Sequence, residues 1–223
     1  MTNKIQKIQT PINCIKKIIL VSILIISPQI SSALEGFYGG VILGNHEGTV
    51  DARYVSNNNK HNNDLEGKSL GLKLGYLKPM NSFITGAEIS FEDHNKTQSV
   101  GDCPNSSYQC KTKINSTMAL KTKIGYQLQN SPVVPMLFVG ITESKVMIQH
   151  RRKSGVLQHP GESNVNGILY GLELNSFLND KTILGASYTW HEFNHTSIRS
   201  PEPENIKTKI KYETIGFSLS YLF

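Results

Sequence analysis

The sequence predicts an all-β protein, an eight-stranded antiparallel transmembrane β-barrel, and three observations carry that expectation. Large apolar residues alternate with small or polar ones in eight separated segments. The connections between those segments alternate between short and long. Apart from a brief N-terminal run, no stretch is apolar for the roughly 20 residues that a membrane-spanning helix needs. A period of two places successive side chains on opposite faces of a strand, and a membrane barrel uses it to set apolar residues against lipid and polar ones inside. With 38% hydrophobic residues the chain lacks the long helical faces of a soluble core. The competing architecture, a soluble eight-stranded barrel, would bury its apolar face inward.

Residues 1–33 read as an export signal and 34–223 as the barrel domain. Lys4, Lys7, Lys16 and Lys17 form a basic start, Ile18 to Ile26 an apolar middle, and Ser31, Ser32 and Ala33 a small-residue cleavage site. The apolar middle is too short to span a bilayer, which excludes an inner-membrane helical protein. Removing these residues takes four of the six formal positive charges and leaves about +2. That basicity is slight and scattered along the chain, so no nucleic-acid partner is expected.

The first strand is expected within Gly36 to Val50, with both registers apolar or Gly and the outward face open. Leu70, Leu72, Leu74 and Tyr76 alternate with Gly71, Lys73 and Gly75 to form the second. Phe83, Thr85, Ala87, Ile89 and Phe91 flank Ile84, Gly86, Glu88 and Ser90 in the third. Met118, Leu120, Thr122, Ile124 and Tyr126 alternate with Ala119, Lys121, Lys123 and Gly125 in the fourth. Leu137, Val139 and Ile141 mark the fifth, Ile168, Tyr170, Leu172 and Leu174 the sixth, and Leu184, Ala186, Tyr188 and Trp190 the seventh. The last strand is the clearest: from Ile215 to Phe223 every odd position is large and apolar.

Tight turns are expected at Lys78 to Asn81, Gln129 to Ser131 and Leu178 to Asp180. Long polar loops are expected at Asp51 to Glu66, Lys96 to Lys111, Gln149 to Glu162 and Thr196 to Lys207. Short turns on the periplasmic side with long loops outside is the outer-membrane arrangement, so the protein is expected in the outer membrane of a Gram-negative bacterium with its loops surface-exposed. Tyr76, Phe83, Tyr126, Phe177, Tyr221 and Phe223 fall near the short-turn end, as an aromatic girdle at a membrane interface would.

Several segments resemble the opacity-protein and OmpA-like family of small outer-membrane β-barrels. Gly36-Phe37-Tyr38-Gly39-Gly40 is similar to its opening strand, Gly86-Ala87-Glu88 to its third, Gly171-Leu172-Glu173 to its sixth and Gly185 to Trp190 to its seventh. Ser187 stands where the family often has an acidic residue, so the interior charge layout need not carry over. The resemblance implies a terminal strand ending in Phe223 that engages the barrel-assembly machinery. It also raises the expectation of hemin binding, which some members of the family show.

Lys73, Glu88, Lys121, Lys123 and Glu173 fall on the inward register and are expected to form an interior charge network, because buried charges must be paired or hydrated. His46, His94, His191 and His195 are expected near the strand tops, where neutral imidazoles can bind haem iron or a metal. His191 beside Glu192 and Asp93 beside His94 are candidate acid–base pairs, but no nucleophile motif accompanies them and no enzyme activity is expected. With Cys14 lost in the signal, Cys103 and Cys110 are an even pair and an expected disulfide within one long loop. The function expected first is that of a non-enzymatic surface protein, structural or adhesive, surrounded by outer-membrane lipid and lipopolysaccharide and contacting host surface molecules. No cofactor is required by it. The alternative is surface haem or metal binding by the outer histidines, and a small ion-conducting channel is third.

Overall fold

The computed structural model describes residues 35–54, 60–102, 108–129, 131–152, 157–199 and 205–223. The expected signal segment and Cys103 lie outside these residues. The strands are β1 (Gly36–Tyr54), β2 (Lys60–Met80), β3 (Phe83–Asp102), β4 (Tyr108–Tyr126), β5 (Val133–Arg152), β6 (Leu157–Phe177), β7 (Thr182–Arg199) and β8 (Asn205–Leu222). Each pairs antiparallel with its chain neighbours, and β8 pairs with β1, closing the barrel. Closure leaves no sheet edge, so every backbone group at membrane depth finds its partner in the next strand.

The expected outward residues form one apolar belt. Leu43 of β1 lies opposite Leu70 of β2 and Phe217 of β8, Ile89 opposite Leu120, Leu120 opposite Ile141, and Ile141 opposite Ile168. All are exposed to the barrel's surroundings except where a neighbour covers them in part. The open face of β1 is settled by this ring: Phe37, Val41 and Leu43 point out, Tyr38, Ile42 and His46 in. Tyr38 can turn inward because its ring lies across Gly75, where a Cβ would collide with it. At the short-turn end Met80 pairs with Phe83, and Asn81 between them takes a left-handed φ of 58° that Asn tolerates better than most residues.

The four stretches expected as long loops are mostly barrel wall. The ladders run on to Arg53 opposite Lys60, Asp102 opposite Gln109, Arg151 opposite Leu157 and Arg199 opposite Asn205. Beyond the apolar belt the alternation persists with its sense inverted. On β5, Glu143 and Lys145 face out while Ser144, Val146 and Ile148 are buried inside; on β1, Asp51 and Arg53 face out while Val50 and Ala52 are buried. Water bathes this part of the wall, so polar residues stand outside and the apolar ones fill the interior, as in a soluble barrel.

Two apolar clusters therefore cap the interior. Tyr38, Leu77, Ile84, Val134, Met136, Phe177, Ile183 and Leu222 pack at the short-turn end. Val50, Leu65, Ile114, Val146, Ile148, Val165, Phe193, Ile210 and Tyr212 pack inside the projecting wall. Phe193 has no exposed surface. Phe193→Ala is expected to lower stability by about 3–5 kcal/mol, read as a shift in the urea midpoint of the refolded barrel, with the belt strands still paired.

Candidate functional site

Between the two apolar caps the interior is mainly polar and layered, with Ala119, Phe138 and Leu169 as a small apolar cluster on one side, and each layer follows from the inward register of the strands. The layer at belt height is ionic. Lys123 bridges Glu88 at 2.5 Å and Glu173 at 2.6 Å; Lys121 reaches Glu88 at 3.0 Å; Lys73 lies 3.4 Å from Glu173 and 3.7 Å from Glu88. The structure thus brings all five residues of the expected network into mutual contact. Tyr38 donates its hydroxyl to Glu88 at 2.8 Å and Lys73 donates to Ser218 at 2.9 Å, which adds neutral partners to the layer. Sequence reasoning missed Glu92. It accepts a hydrogen bond from Ser69 at 2.6 Å and brings the inward count to three carboxylates against three lysines. Its even position on β3, in step with Glu88 and Ser90, was the available signal.

One step further from the short turns lies a histidine and hydroxyl layer. His46 hydrogen-bonds Thr214 at 2.8 Å through Nδ1, and His94 hydrogen-bonds Thr117 at 2.9 Å through Nε2. Thr117 in turn contacts Ser144 at 2.7 Å. The His46 and His94 rings are 4.7 Å apart, and His191 stacks on Tyr212 at 4.3 Å. Nε2 of His46 and Nδ1 of His191 are buried without a hydrogen-bond partner. Three of the four candidate haem ligands therefore meet inside the barrel, beneath the apolar cap of the projecting wall, and not at the strand tops. The side chain of His195 lies outside the described residues. Among the described residues no group of three or more His, Cys, Asp or Glu is arranged to hold a metal ion.

The void between the ionic and histidine layers is about 30 Å³, lined among others by Glu92, Lys121, Thr189, His191 and Thr214. That is room for an ordered water, not for a solute or a continuous water column. Neighbours along a strand point to opposite faces, and this separates the candidate acid–base pairs. His191 is buried inside while Glu192 faces out to Lys209 at 2.6 Å and Lys211 at 3.4 Å. Hydrogen bonding to Lys209 holds the Glu192 carboxyl below its usual range. His94 likewise faces in and Asp93 out. Cys110 is buried on β4 near the far rim.

A closed barrel with an apolar belt outside and an ion-paired layer inside defines a transmembrane β-barrel whose interior is filled at belt height by the described residues. The profile of the outer membrane protein beta-barrel domain matches residues 18–223, and the chain belongs to that family. Among solved structures it is similar in fold to Neisserial surface protein A (15% identity, TM-score 0.44, covering 84% of this chain and 97% of that one). It is also similar to the outer membrane protein OprG of Pseudomonas aeruginosa (11%, 0.46, 84% and 97%) and the outer membrane protease OmpT of Escherichia coli (12%, 0.42, 87% and 99%). No curated protein matches the chain.

Lys123 is the keystone of the ionic layer. Lys123→Met removes the shortest ion pair of two buried carboxylates, leaving Glu173 only Lys73 at 3.4 Å, and is expected to cost about 3–5 kcal/mol, measured by urea unfolding in lipid. The double change Lys123→Met with Glu173→Gln is expected to recover part of that loss, because the layer is neutral again and Lys73 and Lys121 still face Glu88.

Proposed function

We propose that this protein is a non-enzymatic surface protein of the Gram-negative outer membrane, structural or adhesive, whose working surface is the rim and wall that project from the lipid. The observation that supports this is the filled interior: among the described residues two apolar caps and an ionic layer occupy the axis, which favours activity outside the barrel. The length of the wall supports it. On β2 the apolar outward run covers Leu70 to Tyr76, and the ten residues from Lys60 to Ser69 continue past it. At about 3.3 Å per residue and a tilt near 40° they rise roughly 25 Å above the belt.

In this reading the short turns face the periplasm and the far rim faces the medium. Lipopolysaccharide then surrounds the lower wall, and host surface molecules meet the rim. A Cys103 to Cys110 bond would staple the β3–β4 connection at that rim and shape one contact surface. The wall that rises beyond the belt favours contact over catalysis: the hydroxyls that meet a base, Thr117 against His94 and Thr214 against His46, are buried inside the barrel, away from the rim.

The refolded barrel is expected to show no steady conductance in a planar bilayer at neutral pH, while replacing the four rim connections by short Gly-Ser turns is expected to abolish the adhesion of expressing cells. Stable conductance would transfer the function to a channel. A hemin titration separates the remaining alternative: a saturable Soret shift lost on replacing His46, His94 and His191 would transfer it to haem capture.

A further inference from the structure

Three cations stand side by side on the outer wall at the far rim. Arg53 of β1 lies opposite Lys60 of β2 on one side and opposite Lys207 of β8 on the other, and all three point outward and are exposed. Like charges directly opposed across a strand pair weaken it. Other lysines of the wall have an acidic partner: Lys145 meets Glu162 at 3.1 Å, and Lys209 and Lys211 share Glu192. Among the described residues no carboxylate is within ion-pair distance of Arg53, Lys60 or Lys207, and none of the three belongs to an ion pair. The row is thus an unpaired positive edge roughly 10 Å wide across three strands.

Six residues nearer the membrane on the same three strands the sign is reversed. Glu47 lies opposite Glu66 and opposite Glu213, and all three are exposed. This acidic row lies one outward position beyond Lys68, Asn45 and Ile215, towards the membrane end of the wall. The cationic row stands eight residues beyond Ile215, the last apolar outward residue of β8. With the same rise and tilt, that is about 20 Å clear of the belt.

We propose that Lys60, Arg53 and Lys207 form a docking site for an extended polyanion, a sulfated or phosphorylated polysaccharide reaching the rim from outside the cell. The proposal rests on the surface-protein reading above and names its partner class. Three cations spaced by the strand separation of about 4.8 Å suit a chain with closely spaced anionic groups. A lipid of the same leaflet is disfavoured by the acidic row it would have to pass. The β7–β8 connection carries Glu202 and Glu204, and occupation of the row by that segment is the other outcome the experiment must separate.

The test is binding of dextran sulfate, against neutral dextran, to the refolded barrel in phospholipid nanodiscs. Two triple variants of equal charge change are compared: Arg53→Glu with Lys60→Glu and Lys207→Glu, and Lys111→Glu with Lys113→Glu and Lys145→Glu on the opposite wall. The expected result is salt-sensitive binding of dextran sulfate that falls by at least about tenfold in the first variant and much less in the second. Equal loss in both, or no loss in the first while heat-modifiable migration shows it folded, overturns the site. A rise in wild-type affinity on Glu202→Gln with Glu204→Gln to the point where the row variant no longer matters less than that segment also overturns it, because the row then serves the chain itself; so does loss of binding when lipopolysaccharide is included in the nanodisc. Adhesion lost with the rim connections but kept in the row variant leaves the surface reading standing and removes only this site.

Discussion

Closure of the β1–β8 ladder is the constraint on which the rest of the molecule depends. A bilayer offers no water to unpaired N–H and C=O groups, so a strand array survives there only as a ring. Once β8 is in register with β1, with Leu43 opposite Phe217 and His46 opposite Thr214, the inward and outward sets of all eight strands follow. A slip of one residue would turn the lysines and glutamates to the lipid and the leucines to the interior. The ionic layer makes the same register costly to leave, since Lys73, Lys121, Lys123, Glu88 and Glu173 come from four different strands and neutralise one another only in this alignment.

The barrel is two solvents' worth of protein on one continuous sheet. On strands such as β1 and β5 the pattern of apolar out and polar in changes, near the height of His46, His94 and His191, to polar out and apolar in, while β3 keeps Thr97 and Ser99 inside. Nothing in the backbone marks the change, because strand geometry is the same in lipid and water. The histidine and hydroxyl layer sits at that junction, where the interior passes from ions to hydrocarbon. Short hydroxyl side chains such as Thr117, Ser144 and Thr214 satisfy imidazoles there without bringing further charge.

Such a structure places function by exclusion and by reach. The interior is spent on stability and registration, the belt on lipid, and the projecting wall on the medium. On that wall the charges are segregated: an acidic row lies towards the belt and a basic row borders the rim on the same three strands.

The strands of the belt, their lipid-facing residues and the five interior charges were legible from the sequence, because a period of two is a local property and Lys73, Glu88, Lys121, Lys123 and Glu173 each fall in step with their own strand. The inward glutamate at position 92 was equally in step and was passed over because it lies where the apolar pattern ends. The reach of the wall was hidden for a related reason: with its outward face polar, a stretch such as 51–66 has the composition of a loop although it is strand on both sides of its connection. The face of β1, the meeting of His46, His94 and His191, and the alignment of Arg53 with Lys207 some 150 residues later were decided only by tertiary structure. They depend on inter-strand register, which is set by closure of the whole ring and is written in no single segment.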